Sequence, residues 1–179
     1  MKKSILAAAV SALFMVGAAH AEVNPNDTSA TLSVTGSVTQ EYSCAVNLSQ
    51  STITLNSDIN DLVTQGTSTA NGSTVTISLT GSDECVNLAN NGKIAYKMSG
   101  KADNADGNVL ANTSTENAAT GVGIGLYDYQ GNVVPVNGEP LLVRKSDSTP
   151  LSLSLVKLNG QEAVAGSVQG SLTIEVERL

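Results

Sequence analysis

An all-β sandwich is the fold class this sequence predicts, on three observations. Short runs alternate apolar and polar residues with period two, the pattern of a half-buried strand. These are Ile53 and Leu55; Val75, Ile77 and Leu79; Ile94 and Tyr96; Val122, Ile124 and Leu126; Leu151, Leu153 and Leu155; and Leu172, Ile174 and Val176. Turn dipeptides separate the runs, among them Asn71-Gly72, Asn91-Gly92, Asp106-Gly107, Asn137-Gly138 and Asn159-Gly160. Beyond residue 21 no stretch keeps a helical period, apart from a turn near Asp58 to Val63. About seven short strands with frequent turns predict an immunoglobulin-like arrangement.

The chain opens on Lys2 and Lys3, a short apolar run from Ile5 to Ala19, and Ala19-His20-Ala21. That is the anatomy of a secretory signal peptide, residues 1–21, cut after Ala21. The run falls short of the roughly 20 apolar residues that span a bilayer, so an exported, soluble chain is expected. Residues 22–29 form a polar lead. The next segment, Ala30 to Thr39, places Ala30, Leu32, Val34 and Val38 on one face of an extended chain, with Gly36 at the remaining position. Two readings fit it equally: the first strand of the sandwich, or a strand given to a neighbour. Farther on, Gly121-x-Gly123-x-Gly125 lacks the spacing and following helix of a phosphate loop, and reads as a strand with small outward residues. Residues 172–176 supply the terminal strand.

Composition narrows the chemistry. The net charge is −7, from 16 acidic and nine basic side chains, and there is no tryptophan. Removing the signal peptide takes Lys2 and Lys3 but no acid, and also takes His20, the one histidine. Nucleic-acid binding needs a positive footprint with stacking rings, which this acidic chain lacks. Ser-His and Cys-His nucleophiles and the usual zinc sites need histidine. Asp103, Asp106 and Asn108 miss the spacing of an EF-hand loop and read as a solvated turn. Asp83-Glu84 and Glu175/Glu177 read as surface charge rather than a glycosidase pair. Tyr42, Tyr96, Tyr127 and Tyr129 read as core or rim packing. No catalytic residue, metal or cofactor is expected. Cys44 and Cys85 are the two cysteines, and in an oxidising compartment they are expected to pair. Closing that loop stabilises by about 4 kcal/mol in the chain-entropy account.

Taken in order, these features resemble the subunits of chaperone–usher pili, close to the type 1 fimbrial major subunit family. The resemblance rests on the signal peptide, the alternating extension broken by Gly36, and Cys44 in Ser43-Cys44-Ala45-Val46. It continues through Val75-Thr76-Ile77-Ser78-Leu79 leading to Cys85, Thr120 to Asp128 followed by Gly131-Asn132, and Leu172-Thr173-Ile174-Glu175-Val176. The chain departs from the pattern at its end, Glu177-Arg178-Leu179, where many members carry a penultimate tyrosine, and in a long gap between Leu79 and Cys85, to be crossed by a bulge or loop.

The resemblance implies an incomplete immunoglobulin-like sandwich completed by donor-strand complementation. Residues 22–39 would be the donor extension and residues 40–179 the pilin domain. Ala30, Leu32, Val34, Gly36 and Val38 would enter a neighbour's groove, lined by Val46, Leu172, Ile174 and Val176. The implied partners are other pilus subunits, a periplasmic chaperone and an outer-membrane usher. The implied destination is a fimbria on the cell surface, serving adhesion. A self-contained sugar-binding module, or a minor tip or adaptor subunit, is the alternative.

Overall fold

The structure, a computed structural model, describes residues 26–38, 40–69, 71–144 and 148–179. The expected signal peptide, and Thr39 at the end of the expected donor segment, lie outside the described residues. The chain divides into two units, Met1–Thr39 and Gln40–Leu179. In the first, residues 26–38 carry neither helix nor strand. Their large apolar side chains face water: Leu32 is 85% exposed, Val34 82% and Val38 103%.

The second unit is a two-sheet sandwich. Its strands are β1 (Cys44–Leu48), β2 (Val63–Thr64), β3 (Ser73–Gly81), β4 (Ile94–Gly100), β5 (Leu110–Ala111), β6 (Val122–Tyr127), β7 (Leu141–Leu142), β8 (Thr149–Lys157) and β9 (Leu172–Arg178). One sheet runs β1-β3-β8-β6-β5, with β2 paired in parallel to the far end of β8. The other runs β7-β4-β9. The β4–β9 pair is the longest, from Ile94 opposite Arg178 to Gly100 opposite Leu172. Between the sheets lie the inward residues of the alternating runs, Ile77, Leu79, Ile94, Tyr96, Met98, Leu126 and Leu151, all buried. This is the sandwich that the alternation predicts, with more and shorter strands than seven.

Four expectations need correction. First, residues 83–90 form a helix, α1 (Asp83–Asn90), within what read as an all-β chain. Its apolar content is too low for periodicity to show it, but its ends are well marked. The Ser82 hydroxyl accepts from the Cys85 N–H, Asp83 and Glu84 sit in the first turn, and Gly92 follows with φ +67°. Second, the gap from Leu79 to Cys85 is closed by the end of β3 and the first turn of α1, not by a bulge or loop. The Cys44–Cys85 bond therefore ties the helix to the start of β1, across a Cα separation of 5.7 Å. Third, Gly123 and Gly125 do lie on the outer face of the sheet, but that face is not open to solvent. A second apolar cluster, Val109, Tyr127, Val156 and Leu158 with Val63 and Val133, covers that face of the sheet. A Cβ on Gly123 would meet Val109 and on Gly125 the Tyr127 ring, so glycine lets the cluster settle onto β6.

Fourth, Asp103 is not solvated. It is only 8% exposed, and its carboxylate accepts from the backbone N–H groups of Ala105 and Val109 and from Gln65 Nε2. Burial pushes this carboxyl up, but the donors from Val109, Ala105, Gly107 and Gln65 outweigh it and hold it below the usual carboxylate range. The expected turn near Asp58 to Val63 is present as a 3-10 turn at Ile59–Asp61, capped by Asp58.

Candidate functional site

The site begins with backbone groups that have no strand partner. β9 bonds to β4 along one edge, and among the described residues no strand pairs its other edge. β1 likewise pairs only with β3. Beyond β1 the chain continues through Gln50–Asn56, where Ile53 and Leu55 are half-buried and Thr52, Thr54 and Asn56 exposed. That is a strand's alternation without a ladder: residues 50–56 make no backbone hydrogen bond to another described residue. Ser49, just before, is the last residue of this run to bond, its N–H donating to the Thr76 carbonyl. A sandwich ordinarily satisfies such groups through a neighbouring strand.

Between these two edges lies a groove of about 440 Å³. Its walls are Leu48, Ile53 and Leu55 on one side and Leu172, Ile174 and Val168 on the other. Its floor is the inner face of the larger sheet: Val75, Leu110, Ile124, Leu153 and Leu155. A second recess of about 560 Å³ shares Leu55, Leu153 and Leu155 and leads on to more polar walls, including Asn56, Asp61, Asn71 and Ser73. The two recesses adjoin at Leu55, Leu153 and Leu155, and the first is bordered by Gln50, Thr52 and Gln169 as well as by its apolar residues. The wall residues on β9 stay only half-buried because none of the described residues covers them, although they pack against the main core.

Of the residues expected to line a groove, Leu172 and Ile174 do so. Val46 and Val176 instead pack against the main core outside the groove's lining, where β1 and β9 touch. The Arg178 side chain donates to the Tyr42 carbonyl at that closed end. Sequence reasoning passed over Ile53 and Leu55 as ordinary strand residues, and over Leu110, Ile124, Leu153 and Val168 as lining. The missing ladder at residues 50–56 marks the former, but nothing in the alternation marks the latter, since only sheet stacking brings them together. The expected donor residues Ala30, Leu32, Val34, Gly36 and Val38 are exposed in the described structure. A Cβ at Gly36 would meet nothing within 4 Å in the chain itself.

The remaining polar features have structural work. Tyr127 is buried, and Tyr129 lies exposed under the Arg144 guanidinium, 5.1 Å from its ring centre. Asp128 closes the turn after β6 by accepting from the Gln130 and Asn132 N–H groups. What the groove offers is an apolar trough between unpaired strand edges.

The profile described as fimbrial protein matches residues 32–177. Among solved structures, the chain is similar to the P pilus rod subunit PapA, with a TM-score of 0.51 and 15% identity over 82% of this chain and 100% of that one. That likeness concerns the fold. No curated protein matches the chain.

Proposed function

Because the chain belongs to the fimbrial protein family, we propose that it is a structural subunit that polymerises by donor-strand exchange, each copy giving residues 30–38 to the groove of the next. The observation that carries this reading is the groove with an open strand edge on either side. An exposed apolar groove beside unpaired strands is an aggregation hazard that soluble domains avoid, so a domain that keeps one has a strand to receive. Donor-strand complementation is a known form of strand addition in pilins, with main-chain bonds for affinity and alternate side chains for register. The extension matches in kind. It exposes Leu32, Val34 and Val38, which with Ala30 and Gly36 would share one face of an extended chain. Burying the three large aliphatic side chains favours docking by roughly 1.5–3 kcal/mol each, before ordering costs.

The contact is head-to-tail and does not close on itself, so it builds a fibre. A strand lent by a periplasmic chaperone would cover the groove before assembly, and an outer-membrane usher would deliver the subunits to a fimbria on the cell surface, where it contributes to adhesion. The test is electron microscopy of cells expressing the chain with its assembly machinery. Fibres should form with the intact chain and fail when residues 22–39 are deleted after the signal peptide. Normal fibres from the deleted chain would overturn the reading.

A further inference from the structure

The groove wall at residues 50–56 is fastened at two points and free between them. At its start the Ser49 N–H donates to the Thr76 carbonyl at 2.9 Å, and the Ser49 hydroxyl accepts from the Thr76 N–H at 3.0 Å. From Gln50 to Leu62 the hydrogen bonds among the described residues are local, within the turn at residues 57–61. The chain is caught again at β2, two residues long and paired to β8, and at the next residue, Gln65. Gln65 is only 3% exposed. Its backbone N–H donates to the Lys157 carbonyl at 2.8 Å. Its side chain donates to Asp103 Oδ2 at 3.1 Å and Asn108 Oδ1 at 2.7 Å, and accepts from the Asn159 N–H at 3.1 Å. The loop at residues 103–108, the turn at Asn159 and the end of β8 thus converge on one residue. Both N–H groups of its amide are used, so disturbing it leaves buried groups unpaired.

We propose that Gln65, which lies outside the groove's lining, is a positioning residue for strand docking. It holds the far end of residues 50–62, so that their unpaired backbone groups stand ready for residues 30–38 of a second copy of this chain. This rests on the donor-strand reading above and adds what prepares one rim for it. Ile53 and Leu55 cannot do this alone. Both are only half-buried, and apolar contact is non-directional: it turns one face inward without fixing where the N–H and C=O groups lie. A rim that is held before docking spares the incoming strand the cost of ordering it. The second copy's extension suits the rim, because no charge occurs from Thr28 to Gln40 in the one or from Ser43 to Ser57 in the other, so no ion is taken out of water when they meet. The opposite rim, β9, is held independently by its ladder to β4. Loosening Gln65 therefore weakens one rim and spares the other.

Hydrogen–deuterium exchange read by mass spectrometry tests this. The full chain is refolded with an excess of a synthetic peptide of residues 30–39, and the monomeric complex is isolated by size-exclusion chromatography. In the native chain docking should slow exchange in two places, residues 50–56 and β9. Two variants are compared with it. Gln65→Ala removes the anchor. Asn108→Ala removes a single partner of Gln65 and keeps the test open where Gln65→Ala does not fold. In both, protection at residues 50–56 should fall, by about two- to tenfold for each hydrogen bond lost, while protection on β9 stays. A fall shared equally by β9 would make Gln65 a support of the fold as a whole and overturns the positioning role. So does unchanged protection at residues 50–56 in both variants, or protection on β9 alone in the native chain. No protection at either edge of the native chain overturns the donor-strand reading beneath it.

Discussion

Asp103 shows how one side chain can hold several loops. Its carboxylate gathers two backbone N–H groups and Gln65 Nε2, while Gln65 also donates to Asn108 Oδ1 and accepts from the Asn159 N–H. Its depressed carboxyl contributes stability that is present above the usual carboxylate range and lost as pH falls through the folded value. Asp128, also depressed, adds with the same sign. Asp103→Asn is expected to cost about 2 kcal/mol at neutral pH and to flatten the loss of stability below about pH 4. Urea unfolding between pH 3 and 7 checks both. Tyr96 is the opposite case. Its hydroxyl and that of Thr149 are buried without a hydrogen-bond partner among the described residues. Burial raises the Tyr96 hydroxyl to about 12, against a smaller opposing effect of Thr149, which lies close by but outside hydrogen-bond geometry. The unfolded chain ionises near pH 10, so this contribution to stability is intact below that and lost as pH rises towards 12. Tyr96→Phe is expected to stabilise by about 1 kcal/mol at neutral pH, since it removes an unpaired buried group, and to weaken the alkaline loss. Thermal unfolding at pH 7 and 11 measures both effects.

Elements are held by links that span them, and the disulfide is the clearest. It fastens the first turn of α1 to the start of β1, the strand that leads into the unpaired run at residues 50–56. Replacing both cysteines by alanine is expected to cost about 2–5 kcal/mol, read as a lower urea midpoint in exported protein. In the extension, Gly36 shares a face with Leu32, Val34 and Val38. If that face enters a shallow part of the groove, Gly36→Leu should abolish fibres while the domain's own thermal transition stays unchanged. Normal fibres would remove Gly36 from the docking face. How much of this was legible in the sequence follows from which signals act along the chain. The strands from Val75, Ile94, Val122, Leu151 and Leu172 were legible because a two-sheet core imposes period two on each. The helix α1 was not, because eight residues with two buried side chains make too weak a stripe, although Ser82 and Gly92 mark both ends. In the groove, alternation marked Leu172 and Ile174 as inward residues of one strand, and only the family resemblance pointed to a groove there. Leu110, Ile124 and Leu153 were not legible as lining, because their place in the floor depends on how the sheets stack. Asp103 misled for a related reason: its donors include Gln65, from a distant part of the chain.

At the scale of the whole molecule, the groove and the extension pose one question, whether the domain lacks a strand that the chain itself carries. The open edge of β9 and the unladdered run at residues 50–56 can be satisfied by a single inserted strand, which would also cover Leu172, Ile174, Ile53 and Leu55. Moving the donor tests this directly. Residues 22–39 are removed, and a copy of Ala30–Thr39 is joined after Leu179 through a short flexible linker. Because β9 ends at Arg178, the added strand starts beside the edge it must pair with. Linking makes docking intramolecular, at an effective concentration on the order of millimolar. The rearranged chain is expected to be monomeric and to unfold at a clearly higher temperature than the chain with the deletion alone. The deleted chain keeps its apolar groove exposed and should aggregate without a chaperone. Calorimetry and light scattering on the two proteins decide the matter. A deleted chain that is monomeric and as stable as the rearranged one would mean the sandwich is complete in itself, and the reading of a self-contained binding module would replace that of a polymerising subunit.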